Sequence, residues 1–264
     1  MALGEANLKI RRNLTLVVAG GVFFAGGANA ATVNDTSLAS PGVYYGSGNS
    51  GNNTGWATNT SGGIELGLST NYRYIGQAAP DVGTNTYHVN TGFYAGPGGS
   101  CISVCSLWNF EFSANFGSSG LNLGNVTTSL SMLNVGNGQS ITFNPFTLLL
   151  DNSAFDGTST RNGNVSGQQA TIADIGFQNS ENLAFFGGLN PLFAFDPTAN
   201  DTYIVTLSVT DTSGLDLSVD ETIIAGAGAA QTPLPAALPL FASGLGGLSL
   251  LGWRRKRKAA ARIG

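Results

Sequence analysis

Polar and apolar residues alternate most regularly in three stretches of the chain. Trp108-Asn-Phe110-Glu-Phe112-Ser-Ala-Asn-Phe116 changes character at almost every step. Successive side chains of a strand point to opposite faces, so the pattern predicts a strand with Trp108, Phe110, Phe112 and Phe116 on a buried face. Asn109, Glu111, Ser113 and Asn115 are expected on the other face, in water. Val126 to Val135 reads as a second strand, and Gly136-Asn137-Gly138 as a tight turn into Ile141-Thr-Phe143. Pro145 lacks an N–H for a ladder, so it marks an edge or ends that strand. The clearest hairpin pairs Tyr203 to Thr210 with Leu215 to Ile223 across Asp211-Thr-Ser-Gly214, with Tyr203, Val205, Leu207, Val209, Leu215, Leu217 and Val219 facing inward. No apolar repeat at helical spacing persists beyond two turns between residues 31 and 230. The expected fold is mainly β: a single antiparallel β-sandwich domain, jelly-roll or Ig-like. Its length of about two hundred residues is enough for one core.

Outside these strands the pattern breaks in different ways. Residues 31–63 are rich in Gly, Asn, Ser and Thr and offer little to bury, which predicts a loop-rich segment. At the N-terminus, Lys9, Arg11 and Arg12 precede an apolar run from Leu14 to Gly26 and then Ala28-Asn-Ala30. That order is a signal peptide over residues 1–30, cut between Ala30 and Ala31 by the general secretion route. At the C-terminus, Thr232-Pro233-Leu234-Pro235-Ala236 opens an uncharged stretch that continues to Trp253 and is followed by Arg254, Arg255, Lys256, Arg257 and Lys258. Eighteen residues from Ala236 to Trp253 give about 27 Å of helix, close to the roughly 30 Å of a bilayer's hydrocarbon core. A helix satisfies its own backbone in lipid, Trp253 suits the interface, and the five cations hold the cytoplasmic side. The prolines keep residues 231 to 235 extended at the outer edge, accessible to a protease.

These C-terminal residues resemble the PEP-CTERM sorting signal of Gram-negative bacteria, in its VPLPA variant. Thr232 stands where that variant usually has valine, and Leu234 where the founding form has glutamate. The resemblance covers about residues 231 to 258. It implies recognition by an inner-membrane exosortase, a cysteine-dependent transpeptidase-like enzyme that cuts near the motif and releases or transfers the body. The expected organisation is therefore a signal peptide (1–30), a β-rich extracytoplasmic domain (31–224), a small-residue linker (225–232) and a sorting signal (233–258). Membrane lipid is a partner through residues 236–253.

Charge narrows the partners of the body. Nine of the eleven Lys and Arg lie at the termini, which leaves Arg73 and Arg161, while fourteen of the fifteen acids fall between residues 31 and 232. Two cations against fourteen acids leave the body near −12, which excludes nucleic acid by repulsion and fits neutral glycans or divalent cations.

Candidate chemistry is sparse. Cys101 and Cys105 are the only cysteines, close together in an exported chain, and are expected to form a disulfide; a metal site would need more ligands. The lone His88 has no marked serine partner and reads as a surface strand residue. Glu65, Glu111 and Glu181 are candidate acids for glycoside hydrolysis, but no spacing pairs two of them across a cleft. Tyr44, Tyr45, Trp56, Tyr72 and Tyr74 are candidates for sugar stacking. Asp196 to Asp201 and Asp211 to Asp220 offer oxygen ligands near strand ends, so calcium is the one cofactor considered. The functional expectation is an exported structural or adhesive protein of the cell surface or exopolysaccharide matrix, not an enzyme. The alternative is a carbohydrate-binding module or a glycoside hydrolase acting on extracellular polysaccharide.

Overall fold

The computed structural model describes residues 32–45, 54–72, 76–77, 84–95, 105–188, 193 and 195–228. Two sheets stack face to face. The first runs in the order β1 (Val33–Thr36), β2 (Trp56–Ser61), β3 (Ile64–Tyr72), β6 (Trp108–Asn115), β11 (Gly176–Glu181), β9 (Ser153–Phe155) and β10 (Thr160–Arg161), with β4 (Gly76–Gln77) paired to β3. The second is β5 (Thr86–Val89), β13 (Asp216–Ala225), β12 (Asp201–Thr210), β7 (Thr127–Asn134) and β8 (Ser140–Phe143).

The alternating stretches become central strands. Trp108, Phe110, Phe112 and Phe116 from the first sheet meet Leu130, Val205, Leu207, Val209, Leu217 and Val219 from the second in one core cluster. Burying a large side chain of this kind contributes about 1.5–3 kcal/mol, so the cluster accounts for the stacking. The β12–β13 hairpin forms as expected, with a register that runs from Asp201 opposite Ala225 to Thr210 opposite Asp216. Asp211 holds its turn by accepting from the N–H groups of Ser213 and Leu215 at 2.8 and 2.9 Å. β7 pairs with β8 as expected. Pro145 ends that run and starts the short helix α1 (Pro145–Leu148), where Asn144 Oδ1 accepts from the N–H groups of Phe146 and Thr147.

Three expectations are corrected. The fold is not wholly antiparallel: β5 runs parallel to β13, Thr86 opposite Thr222 through Val89 opposite Ala225. A parallel neighbour requires a long crossover, and well over a hundred residues separate these two strands in the chain. Residues 31–63 are not simply loop: they supply β1 and β2, and Leu38, Tyr45 and Trp56 form a small apolar cluster with Val43 packed against it. The small-residue stretch begins inside the domain. Ala225 closes β13, Gly226 N–H donates to Val89 O, and Ala227 N–H donates to Asn200 Oδ1, so folded structure reaches Gly228.

Candidate functional site

The outer face of the first sheet was expected to be wet, and it is not. Every residue of β6 is buried, and Glu111 is only 1% exposed. The register explains which groups share this face: Asn71 lies opposite Asn109, Ser69 opposite Glu111, Gly67 opposite Ser113 and Glu65 opposite Asn115. β11 adds Ser180 beside Glu111 and Gln178 beside Ser113. The segment Leu38 to Tyr45 lies across it as a strap, held by side chains of the sheet that bond its backbone. Gln178 Nε2 donates to Gly42 O at 2.8 Å, Tyr44 N–H donates to Gln178 Oε1 at 2.9 Å, and Asn115 Nδ2 donates to Ser40 O at 3.2 Å. Buried polar groups are costly without partners, and here strap and sheet supply them to each other. Alternation reports polarity, not cover, so the sequence pattern alone could not reveal the strap.

Glu111 is the most perturbed group of this face. Burial pushes its carboxyl up to about 7, while the polar groups of Tyr45, Asn71 and Ser180 pull the other way. Asn71 Nδ2 donates to Glu111 Oε1 at 3.0 Å. The belt continues through Asn109 Nδ2 to Ser180 Oγ at 3.1 Å and Asn182 Nδ2 to Asn109 Oδ1 at 2.9 Å.

Glu65 stands at the other end of the same face, in an open cleft of about 420 Å³ lined with Ser40, Thr60, Gly63, Asn115 and Ser118. Both of its carboxylate oxygens accept from Ala39 N–H, at 2.9 and 3.1 Å. Burial raises its pKa and that backbone bond opposes the rise. Ser69, the cross-strand partner of Glu111, is four residues along β3 from Glu65, which offsets the two backbones by roughly 13 Å along the strand, and Glu111 leans away from Glu65 toward Asn71. Glycosidase pairs stand about 5–9.5 Å apart, so these two do not form one. Glu181 faces the opposite side of the first sheet, across from Phe110.

The fold brings in a further acid. Glu221 on β13 is fully buried, accepts from Thr70 Oγ1 at 3.3 Å through Oε2, and has no partner at Oε1 among the described residues. Burial, and then the charge of Glu111, drive its carboxyl well above the usual range. The signal was present: Leu217, Val219 and Glu221 share one parity, so the alternation that buries the first two buries the third.

The other candidates fall into place separately. Trp56 and Trp108 are buried at 0% and 1% exposure, and Tyr45 at 8%, so none of the three offers a free stacking surface. Tyr44 and Tyr72 are half-buried, and Tyr74 lies outside the described residues. His88 is exposed on β5, as expected. Asp196 and Asp211 are held below the ordinary carboxylate range, chiefly by the hydroxyls of Thr198 and Ser213 that cap onto them. Their oxygens are engaged in turns, and among the described residues no group of three or more His, Cys, Asp or Glu is placed to hold a metal ion. Cys105 is buried and disulfide-bonded; Cys101 lies outside the described residues. So do Ala28, Ala30 and Ala31, the motif Thr232 to Ala236, and Trp253 to Lys258. No described helix is long and apolar enough to cross a membrane.

No protein-family model matches the chain, and no curated protein matches it. The functional reading therefore rests on the residues themselves.

Proposed function

We propose that the chain is an exported structural or adhesive protein of the cell surface or exopolysaccharide matrix. In this reading the two stacked sheets form one β-sandwich between a cleaved signal peptide and a C-terminal transmembrane helix. An exosortase-like enzyme in the inner membrane cuts the chain near Thr232 to Ala236 and frees the body from its anchor. The observation that carries the reading is the fixed order of a proline motif, an uncharged span of membrane length and five consecutive cations. The body supports it in a weaker way: it is acidic, its described turn carboxylates are engaged in capping, and its candidate acids do not pair across a cleft.

Fractionation combined with C-terminal mass spectrometry tests the proposal on the wild type and Pro235→Ala. The expected wild-type product is outside the inner membrane and lacks Arg254 to Arg262, whereas Pro235→Ala remains in the membrane with Arg262 present. If both proteins keep Arg262 and stay in the inner membrane, the motif is a plain anchor and the reading fails.

A further inference from the structure

The solvent face of the second sheet is unlike the covered face of the first. The register sets Ile204 between Leu133 and Thr222, and Thr206 between Ser131 and Asp220. β8 extends the same rows with Ser140 beside Leu133 and Thr142 beside Ser131. Ser131, Leu133, Ser140, Thr142, Ile204 and Thr206 line a shallow trough of about 410 Å³, within the range of about 300–1,000 Å³ typical of small-molecule sites. Ser129, Ser208 and Ser218 continue the hydroxyls along the next row.

The chemistry of this trough is polar but uncharged. Strands about 4.8 Å apart place the hydroxyls of Thr206, Ser131 and Thr142 in one row across the sheet, and alternate residues about 6.8 Å apart set the row of Ser129, Ser208 and Ser218 beside it as a grid. No hydrogen bond within the described residues engages the hydroxyls of Ser131, Ser140, Thr142 or Thr206. Beside them Ile204 and Leu133 lie directly opposite each other and form an aliphatic step. A hydroxyl both donates and accepts, so the grid can serve any arrangement of partner hydroxyls without a charge to desolvate. The face carries no Lys or Arg on these strands, and Asp216 and Asp220 stand exposed on the same side of β13. Those acids repel a polyanion and leave a neutral partner unaffected.

We propose that this trough binds a neutral polysaccharide, whose sugar rings lay their C–H faces on Ile204 and Leu133 and exchange hydrogen bonds with Ser131, Thr142 and Thr206. The proposal builds on the export reading only in naming what the delivered body meets. A binding assay on purified protein can fail while sorting cleavage succeeds, and the reverse, so the two failures are distinguishable.

The test uses the full chain in detergent micelles, with retention on microcrystalline cellulose, retardation in gels containing dextran, and alginate as the polyanion. The wild type is expected to be retained by at least one neutral glucan and not by alginate. Thr206→Arg and Thr142→Arg, whose side chains leave toward solvent, should each cut retention at least about tenfold with an unchanged melting temperature. Ser118→Arg, in the Glu65 cleft, should leave retention intact. Absence of wild-type binding to both glucans, preference for alginate, or undiminished retention of Thr206→Arg and Thr142→Arg would each overturn the proposal.

Discussion

Glu111 shows how one residue can set the pH response of the fold. Its carboxyl, ordinarily near 4.5, titrates near 7 because burial disfavours the charged form. A group whose pKa is raised on folding binds its proton more tightly in the native state, so ionisation favours the unfolded chain. Its contribution is fully present below about pH 4.5, is lost as pH rises to about 7, and is constant above that. Glu111→Gln keeps an oxygen to accept from Asn71 and removes the titration. We expect the variant to gain up to about 3 kcal/mol over wild type at pH 8 and little at pH 4, measured by urea denaturation at both pH values. Glu221, raised for the same reason, keeps some slope in the variant. A variant as pH-sensitive as the wild type would show that Glu111 is charged in the fold.

Among the elements, the strap is the least legible from sequence and the most exposed to a local test. The β12–β13 hairpin and β6 could be read directly, because alternation and turn residues act within a few positions of each other. The strap could not. Its apolar residues, Leu38 and the short run Val43 to Tyr45, are too few and too irregularly spaced to read as an element, and they find Trp56 only after the chain folds back. The parallel pairing of β5 was hidden for the same reason, since nothing near Thr86 marks a partner well over a hundred residues later. The strap fits because Gly67 has no side chain. A Cβ there would stand 2.7 Å from Leu38 Cδ2 and 3.1 Å from Trp56 Cε3. Gly67→Ala is therefore expected to cost about 1–3 kcal/mol and to expose the Leu38 to Tyr45 segment. Limited proteolysis followed by mass spectrometry should find new early cuts there, while the pairing of β12 with β13 stays protected from hydrogen exchange. Unchanged cutting would mean the strap is held by its hydrogen bonds alone.

For the whole molecule, the core depends on strands that come late in the chain. β12 and β13 form the middle of the second sheet, and β5 attaches to the domain through Thr222 to Ala225. A chain ending at Gly228 should melt cooperatively at the temperature of the full domain, because the sheet is complete by then. One ending at Asp220 loses Glu221, Ile223 and Ala225 from the inner face, together with every pairing of β5 to β13. Circular dichroism should show it without a cooperative transition. Equal melting of the two would place the boundary of the domain earlier than the sheets require.

The way the chain leaves the domain has a mechanical consequence. Residues 216–225 lie between two neighbours and are followed by a turn in which Gly228 N–H donates to Ala225 O, so a pull on that end acts along the strand axis once this turn is drawn straight. Such a load falls on all ten rungs shared with β12 and on those shared with β5 at once, in shear, and cannot peel them apart one by one. A body held by its C-terminal end and dragged by flow would then resist unfolding from that end.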